Sequence, residues 1–174
     1  DNDNNPDEEG TTNTTLEEMG SIGAAKRVVS VDLSEDGCTE VVYEINIENF
    51  GNVGIDSIQV EDDLAAAGYT ACQGFTVSLT SDDFTVNAAY DGMGMNNLLS
   101  GVDDLPVGDA GAILLTVNAC GCPNGTEIMN SATVSGVTTS GADLMDDSVD
   151  GSDPDGMDND NNPDEEGTTN TTLE

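Results

Sequence analysis

From Val28 to about Thr139, hydrophobic and polar residues alternate with a period of two, the pattern of strands that face a core on one side and water on the other. Val29, Val31 and Leu33 keep this alternation. Val41, Tyr43, Ile45 and Ile47 then form an inward row against the outward Val42, Glu44, Asn46 and Glu48. The turn Ser34–Thr39, rich in Asp, Glu and Gly, joins the two strands, and Asn49-Phe50-Gly51-Asn52 ends the second. Further strands are predicted over Ile55–Asp62, Phe75–Leu79, Phe84–Val86, Ala112–Val117 and Ile128–Val137, with a single helical turn in Asp62–Gly68, where three alanines fall together. Seven or so short strands separated by Gly/Asn/Asp/Pro turns, without a long helical period, describe an all-β chain folded as a β-sandwich.

Outside this region the alternation stops, and the two ends are identical. The first seventeen residues, Asp1 to Glu17, recur letter for letter as Asp158 to Glu174. The offset from Asp1 to Asp158 is 157 residues, long enough for a whole domain and far beyond the roughly 20–50 residues of a solenoid repeat. The chain therefore reads as one unit of a tandem array: residues 1–26 are a linker from the preceding repeat, 27–142 the sandwich, and 143–174 an acidic linker. Many copies in series suit a stalk, fibre or adhesin, which gains reach and avidity with each copy.

Charge sharpens this picture. Thirty-six acidic residues stand against Lys26 and Arg27, with no histidine, for a formal charge of −34. Such a surface repels nucleic acid and anionic membrane and attracts cations, and no apolar run approaches the ~20 residues that span a bilayer. Asp143 to Glu166 holds eleven carboxylates in 24 residues without a basic partner, too charged to order itself by burying apolar surface. Two carboxylates about 4 Å apart repel by roughly 1 kcal/mol in water and about 4 at an effective dielectric near 20, so an ordered acidic joint calls for a counter-cation.

Calcium, which takes six to eight oxygens, suits the pattern better than magnesium. The candidate ligands are Asp146, Asp147, Asp150, Asp153, Asp155, Asp158, Asp160, Asn162, Asp164 and Glu166, with Asp1, Asp3, Asp7 and Glu9 in the preceding copy. The segment is not an EF-hand: counted from Asp158, Pro163 takes the place of the turn glycine and Thr169 that of the bidentate glutamate. Without metal it is a solvated spacer; with metal it fixes one repeat against the next. The Thr-rich TTNTTLE tail has high β propensity and is suited to pair with an edge strand across the joint.

Four cysteines, Cys38, Cys72, Cys120 and Cys122, in an acidic β protein fit an oxidising, extracellular setting and two disulfides. If strands alternate in direction, all four share one end of the sandwich. Sequence leaves the pairing open, with Cys120–Cys122 the least favoured because so short a ring is strained. The core is lean, with no tryptophan and six other aromatics, so cross-links and bound ions carry more of its stability. No histidine, one lysine and no phosphate-binding glycine loop leave no catalytic arrangement. The carboxylate pairs Asp62/Asp63, Asp82/Asp83 and Asp103/Asp104 lack sugar-stacking aromatics, and the chain is not read as an enzyme.

The segments SIGAAKRV (21–28), VVYEINIENFGNVGIDSIQVEDDL (41–64), LPVGDAGAILLTV (105–117), NSATVSG (130–136) and DDSVDGSDPDGMDNDNNPDEE (146–166) resemble the conserved-repeat domain. This family of Ig-like β-sandwiches occurs in tandem in very large bacterial surface proteins, notably of the Bacteroidota. The resemblance implies an Ig-like repeat with an Asp-rich linker, and a cell-surface or secreted location. It also implies that Ser57 and Ser148, each in an Asp-Ser-aliphatic triplet similar to that phylum's O-glycosylation motif, are candidate glycosylation sites. Asn13, Asn124 and Asn170 lie in N-x-Thr sequons. The expected function is a calcium-stiffened stalk repeat whose partners are identical neighbours. The alternatives are a module binding a glycan or protein through loops such as Tyr69–Phe75 and Tyr90–Leu99, and a filament subunit that polymerises by strand donation.

Overall fold

The structure is a computed structural model and describes residues 14, 16–158 and 160–173. It is built almost wholly of strands: β1 (Ile22–Leu33), β2 (Cys38–Asn49), β3 (Ile55–Glu61), β4 (Gly74–Thr80), β5 (Ala110–Cys120), β6 (Thr126–Asn130), β7 (Thr133–Thr138), β8 (Asp143–Asp147), β9 (Val149–Asp150) and β10 (Thr169–Leu173). One helical turn, α1 (Leu64–Ala67), is capped by the Asp63 carboxylate and stopped by Gly68 in the left-handed conformation, and a 3₁₀ turn at Tyr69–Ala71 follows. The larger sheet runs in the order β4-β5-β2-β1-β9 and the second β3-β7-β8, while β10 pairs with β6.

The inward rows of these sheets form one core. Val41, Tyr43, Ile45 and Ile47 of β2 and Ile113, Leu115 and Val117 of β5 meet Ile55, Ile58 and Val60 of β3 and Val134 of β7, all fully buried. Arrayed this way, the outward Val42, Glu44, Asn46 and Glu48 alternate as the sequence indicated.

Several elements depart from the sequence reading. β1 begins at Ile22 rather than Val28, because Ile22, Ala24 and Lys26 continue the inward phase. A bulge shifts the register between Val28, opposite Tyr43, and Ser30, opposite Val42; Val29 in the bulge and Val31 and Leu33 beyond it are exposed to solvent. Phe84–Val86 is not a strand. The Ser81 hydroxyl accepts the N–H groups of Asp83 and Phe84 and turns the chain there, leaving Val86 in a lone bridge with Leu99. The long passage from Ser81 to Leu105 still contributes Phe84, Tyr90, Leu98, Leu99 and Leu105 to the core. The single strand expected over Ile128–Val137 breaks after Asn130, where the chain leaves β10 and joins β3 and β8.

The count rises to ten strands among the described residues because β8, β9 and β10 come from the acidic end of the chain.

Candidate functional site

The acidic segment lies against the sandwich. β8 is the outer strand of the smaller sheet, with Leu144 packed against the core and Met145 exposed. Asp146 turns towards β1 and accepts the Ala24 N–H at 2.8 Å. Burial pushes its carboxyl up to about 7, the Asp147 and Glu166 carboxylates adding to the shift and the Ala24 N–H opposing it. Asp147 is exposed and accepts the Thr133 hydroxyl at 2.5 Å. β9 runs parallel to β1, setting Asp150 beside Lys26.

Beyond β9 the backbone stays attached. The Gly151 N–H donates to the Lys26 carbonyl at 2.9 Å, the Asn46 amide to the Ser152 carbonyl at 2.8 Å, and the Thr169 hydroxyl to the same Lys26 carbonyl at 2.7 Å. Pro163 and Pro154 close over Gly23: a Cβ there would stand 2.6 Å from Pro163 Cβ and 2.9 Å from the Phe50 ring. Close packing of the Pro163 ring and the Pro154 carbonyl over Gly23, together with hydrogen bonds to the Lys26 carbonyl of β1 and the Asn46 amide of β2, orders a segment whose own side chains cannot form a core.

Within this loop Asp155, Asp158 and Asp160 each bring one carboxylate oxygen within 4.8 Å of the others. Asp155 is buried; its Oδ2 accepts the Asn161 N–H at 2.9 Å, and its Oδ1 has no hydrogen-bond donor among the described residues. Asn161 takes a left-handed conformation to make that bond. Glu165 Oε2 is likewise buried without a hydrogen-bond partner among the described residues, in space that Gly156 leaves open, since a Cβ at Gly156 would lie 2.8 Å from Glu165 Cδ. Crowding shows at the edges: partial burial, then the Asp153 and Asp155 carboxylates, pushes Glu48 upward. An all-oxygen set holding a desolvated carboxylate oxygen with no donor fits a hard dication such as calcium.

The other sequence candidates play different parts. Asp153 accepts the Asp155 N–H, and Asn162 donates its amide to Asp164 while its N–H meets Asp160, so these residues shape the loop. Asp146, Asp147 and Asp150 lie on β8 and β9, and Glu166 is exposed on the way to β10. Asp1, Asp3, Asp7 and Glu9 lie outside the described residues.

The cysteines pair as Cys38–Cys120 and Cys72–Cys122. Cys38 opens β2 directly opposite Cys120 at the end of β5, and Cys72 follows the 3₁₀ turn beside Cys122, so all four share one end of the sheet. Ser57 is exposed at a bulge in β3, with φ of 58°. Ser148 is fully buried, its hydroxyl accepting the Ala132 N–H at 2.9 Å where the β6–β7 segment crosses; the folded chain therefore closes it to a glycosyl donor. Tyr69 and Tyr90, on the loops suggested as a receptive surface, are both buried.

The duplicated ends meet different surroundings. In the second copy Thr169–Leu173 forms β10 against the β6 edge, with Leu173 fully buried. Its counterpart Leu16 in the first copy is 88% exposed. The strand suggested for pairing across a joint thus pairs with an edge of its own unit.

One group of residues escaped the sequence reading. Lys26, Asp62 and Asn130 are all buried at one point of the core. Asp62 Oδ2 accepts from Lys26 Nζ in a short contact and from Asn130 Nδ2 at 3.3 Å, while Asp62 Oδ1 is buried with no donor among the described residues. The Lys26 ammonium position lies 4.8 Å from the centre of the Tyr43 ring, the Tyr43 and Tyr69 hydroxyls are hydrogen-bonded at 2.9 Å, and Tyr90 donates to the Asp62 carbonyl. Burial drives Lys26 down and Asp62 up, each towards its neutral form, against the attraction between them. A signal was present in the sequence: each of the three occupies an inward position of an alternating row, Ile22-Ala24-Lys26, Ile58-Val60-Asp62 and Ile128-Asn130-Ala132.

No family model and no curated protein matches the chain. Among solved structures it is similar to BcpA, the major pilin subunit of Bacillus cereus, at 15% identity and a TM-score of 0.48, over 75% of this chain and 39% of that one. The N-terminal domain of PorA gives 12% identity and a TM-score of 0.38, over 75% of this chain and 97% of that one. The chain thus spans well under half of the pilin chain, and neither likeness carries weight for what this protein does.

Proposed function

We propose that the chain is a structural repeat of an extracellular surface fibre or stalk, joined in series to identical units. The observation that carries this reading is the duplicated sequence, whose leucine is buried in the core as Leu173 in one copy and exposed as Leu16 in the other. In a tandem array the first copy is the terminal strand of the preceding unit, so each TTNTTL segment completes the domain that precedes it. Two disulfides suit an oxidising exterior, and the net charge of −34 keeps such units soluble and apart.

On this reading the joint is short. Between the terminal strand of one unit and β1 of the next lie only Glu17–Ser21, and these are held by Asn52. Its side chain accepts the Met19 N–H at 2.7 Å and donates to the Glu17 carbonyl at 3.0 Å, and its N–H donates to the Met19 carbonyl at 2.9 Å. Stiffness then arises from a five-residue pinned connection, not from a long acidic tether. Calcium at Asp155, Asp158 and Asp160 locks the loop that carries the chain from β9 to β10, and so holds the terminal strand in place.

The exposed Leu16 also favours a second reading, in which the first copy enters the β6 edge of another chain and displaces that chain's own β10. A two-repeat chain distinguishes the two. Scattering from a monomeric, extended particle in millimolar calcium supports the stalk. Concentration-dependent growth supports strand donation, and a monomeric but limp dumbbell in calcium refutes the stiff joint.

A further inference from the structure

The chain contains one lysine, and a sequence with 36 carboxylates places it in the core instead of on the surface. A buried ion pair is a poor source of stability, because removing both charges from water costs several kcal/mol per ion before their attraction is counted. The arrangement around Lys26 is costly in a second way: both donors, Lys26 Nζ and Asn130 Nδ2, converge on Asp62 Oδ2, while Oδ1 is buried with no donor among the described residues. A carboxamide, an amine and a carboxyl held together in a dry pocket are the three groups required for amide exchange.

We propose that Lys26 and Asn130 form an intramolecular amide cross-link, with Asp62 as the proton carrier. In the first step a proton passes from the lysine to Asp62, leaving a neutral amine and a carboxylic acid, the forms that burial in this pocket favours. The Nζ lone pair attacks Asn130 Cγ while the acid protonates the carboxamide. The Cγ–Nδ2 bond then breaks, the second amine proton reaches the leaving nitrogen through Asp62, and ammonia departs. The balance is R-NH₂ plus R′-CONH₂ giving R-NH-CO-R′ plus NH₃, and it requires no oxidant, metal or co-reactant. Fixing amine and amide against one oxygen supplies the proximity that an amide, unreactive in water, otherwise lacks.

The surroundings support each step. Tyr43, Tyr69 and Tyr90 wall the pocket from water. Asn130 also lines a surface cleft with Glu61, Asp63, Asn96 and Ser131, an exit for ammonia. After reaction the new amide offers one N–H and one carbonyl to the two oxygens of a protonated Asp62, which satisfies the orphaned Oδ1. The bond joins β1, the first strand of the unit, to β6, the partner of its last strand, so tension along a series of units passes through a covalent link near both ends.

The test uses the 174-residue chain after reduction and denaturation. Its intact mass should fall below the sequence mass by one ammonia. Trypsin cuts only after Lys26 and Arg27, so it should leave a single covalent species in which residues 1–27 remain attached to 28–174, with fragmentation locating the branch at Lys26 and Asn130. Asn130→Ala and Asp62→Asn should show their full sequence masses and release the segment N-terminal to the cut from residues 28–174. Wild-type chain at the full sequence mass, releasing that segment, overturns the proposal without reference to any variant's folding. Loss of a water instead of an ammonia places the bond at Asp62 and overturns the assignment to Asn130. Full cross-linking in Asp62→Asn overturns the role of the carboxyl.

Discussion

Leu16 and Leu173 sit in the same seventeen residues, so replacing each by alanine changes an identical local sequence in two tertiary settings. Leu173 is fully buried in the core cluster and Leu16 is 88% exposed. Removing three buried carbons forfeits about 0.8 kcal/mol of transfer free energy each, and the cavity left behind brings typical Leu→Ala losses to about 2–5 kcal/mol. β10 is a five-residue strand paired, among the described residues, with β6 alone, and it can partly collapse into the space, which places Leu173→Ala in the lower part of that range, about 2–3 kcal/mol. For a domain of this size that is a fall in Tm of roughly 4–12 °C. Leu16→Ala should move Tm by less than about 2 °C, since exposed substitutions generally change stability by under about 0.5 kcal/mol. The assay is thermal or urea unfolding by circular dichroism, with disulfides kept oxidised so that the unfolded state is cross-linked alike in both variants. Equal shifts, or a neutral Leu173→Ala, would refute the assignment of β10 to this unit's core.

Three further outcomes follow from the same geometry. Reducing both disulfides should lower stability severely, because loops closed by separations of 82 and 50 residues correspond to about 4 kcal/mol each in the chain-entropy model, and a melt with and without a phosphine reductant measures it. Millimolar calcium should raise Tm relative to EGTA, by about 2.7 kcal/mol of stabilisation at a hundredfold excess over Kd, and Asp155→Asn should abolish the difference; an unchanged calcium response in that variant would remove the cluster from consideration. Because the Asp146 pKa is raised to about 7 in the folded chain, its contribution to stability is full below the ordinary carboxylate pKa of about 4 and is lost as pH rises through 7. Asp146→Asn should therefore flatten the fall in Tm between pH 4 and 7 relative to wild type, and parallel pH profiles would contradict the shift.

What the sequence determined by itself is whatever depends on period and local chemistry. The inward row Val41-Tyr43-Ile45-Ile47, the strands at Ile55 and Phe75, the alanine turn at Leu64 and the gathering of four cysteines at one end were all legible, because a half-buried strand imposes a period of two and a turn imposes its own residue types. The aspartate cluster was legible only as a composition. Ten candidate side chains could be named between Asp146 and Glu166, but selecting Asp155, Asp158 and Asp160 required the path of the loop around Gly156 and Asn161.

Tertiary structure decided matters in which an identical or unremarkable local sequence meets different neighbours. Leu173 is buried where its copy of the repeat pairs with β6, whereas Leu16, the same residue of the same local sequence, is exposed. The acidic end docks where Pro154 and Pro163 lie over Gly23, residues more than a hundred positions apart in the chain. Lys26, Asp62 and Asn130 each break an apolar row without consequence in isolation; their chemistry exists only where three strands bring one amine, one carboxyl and one carboxamide to a shared oxygen, in a core dry enough to favour their neutral forms.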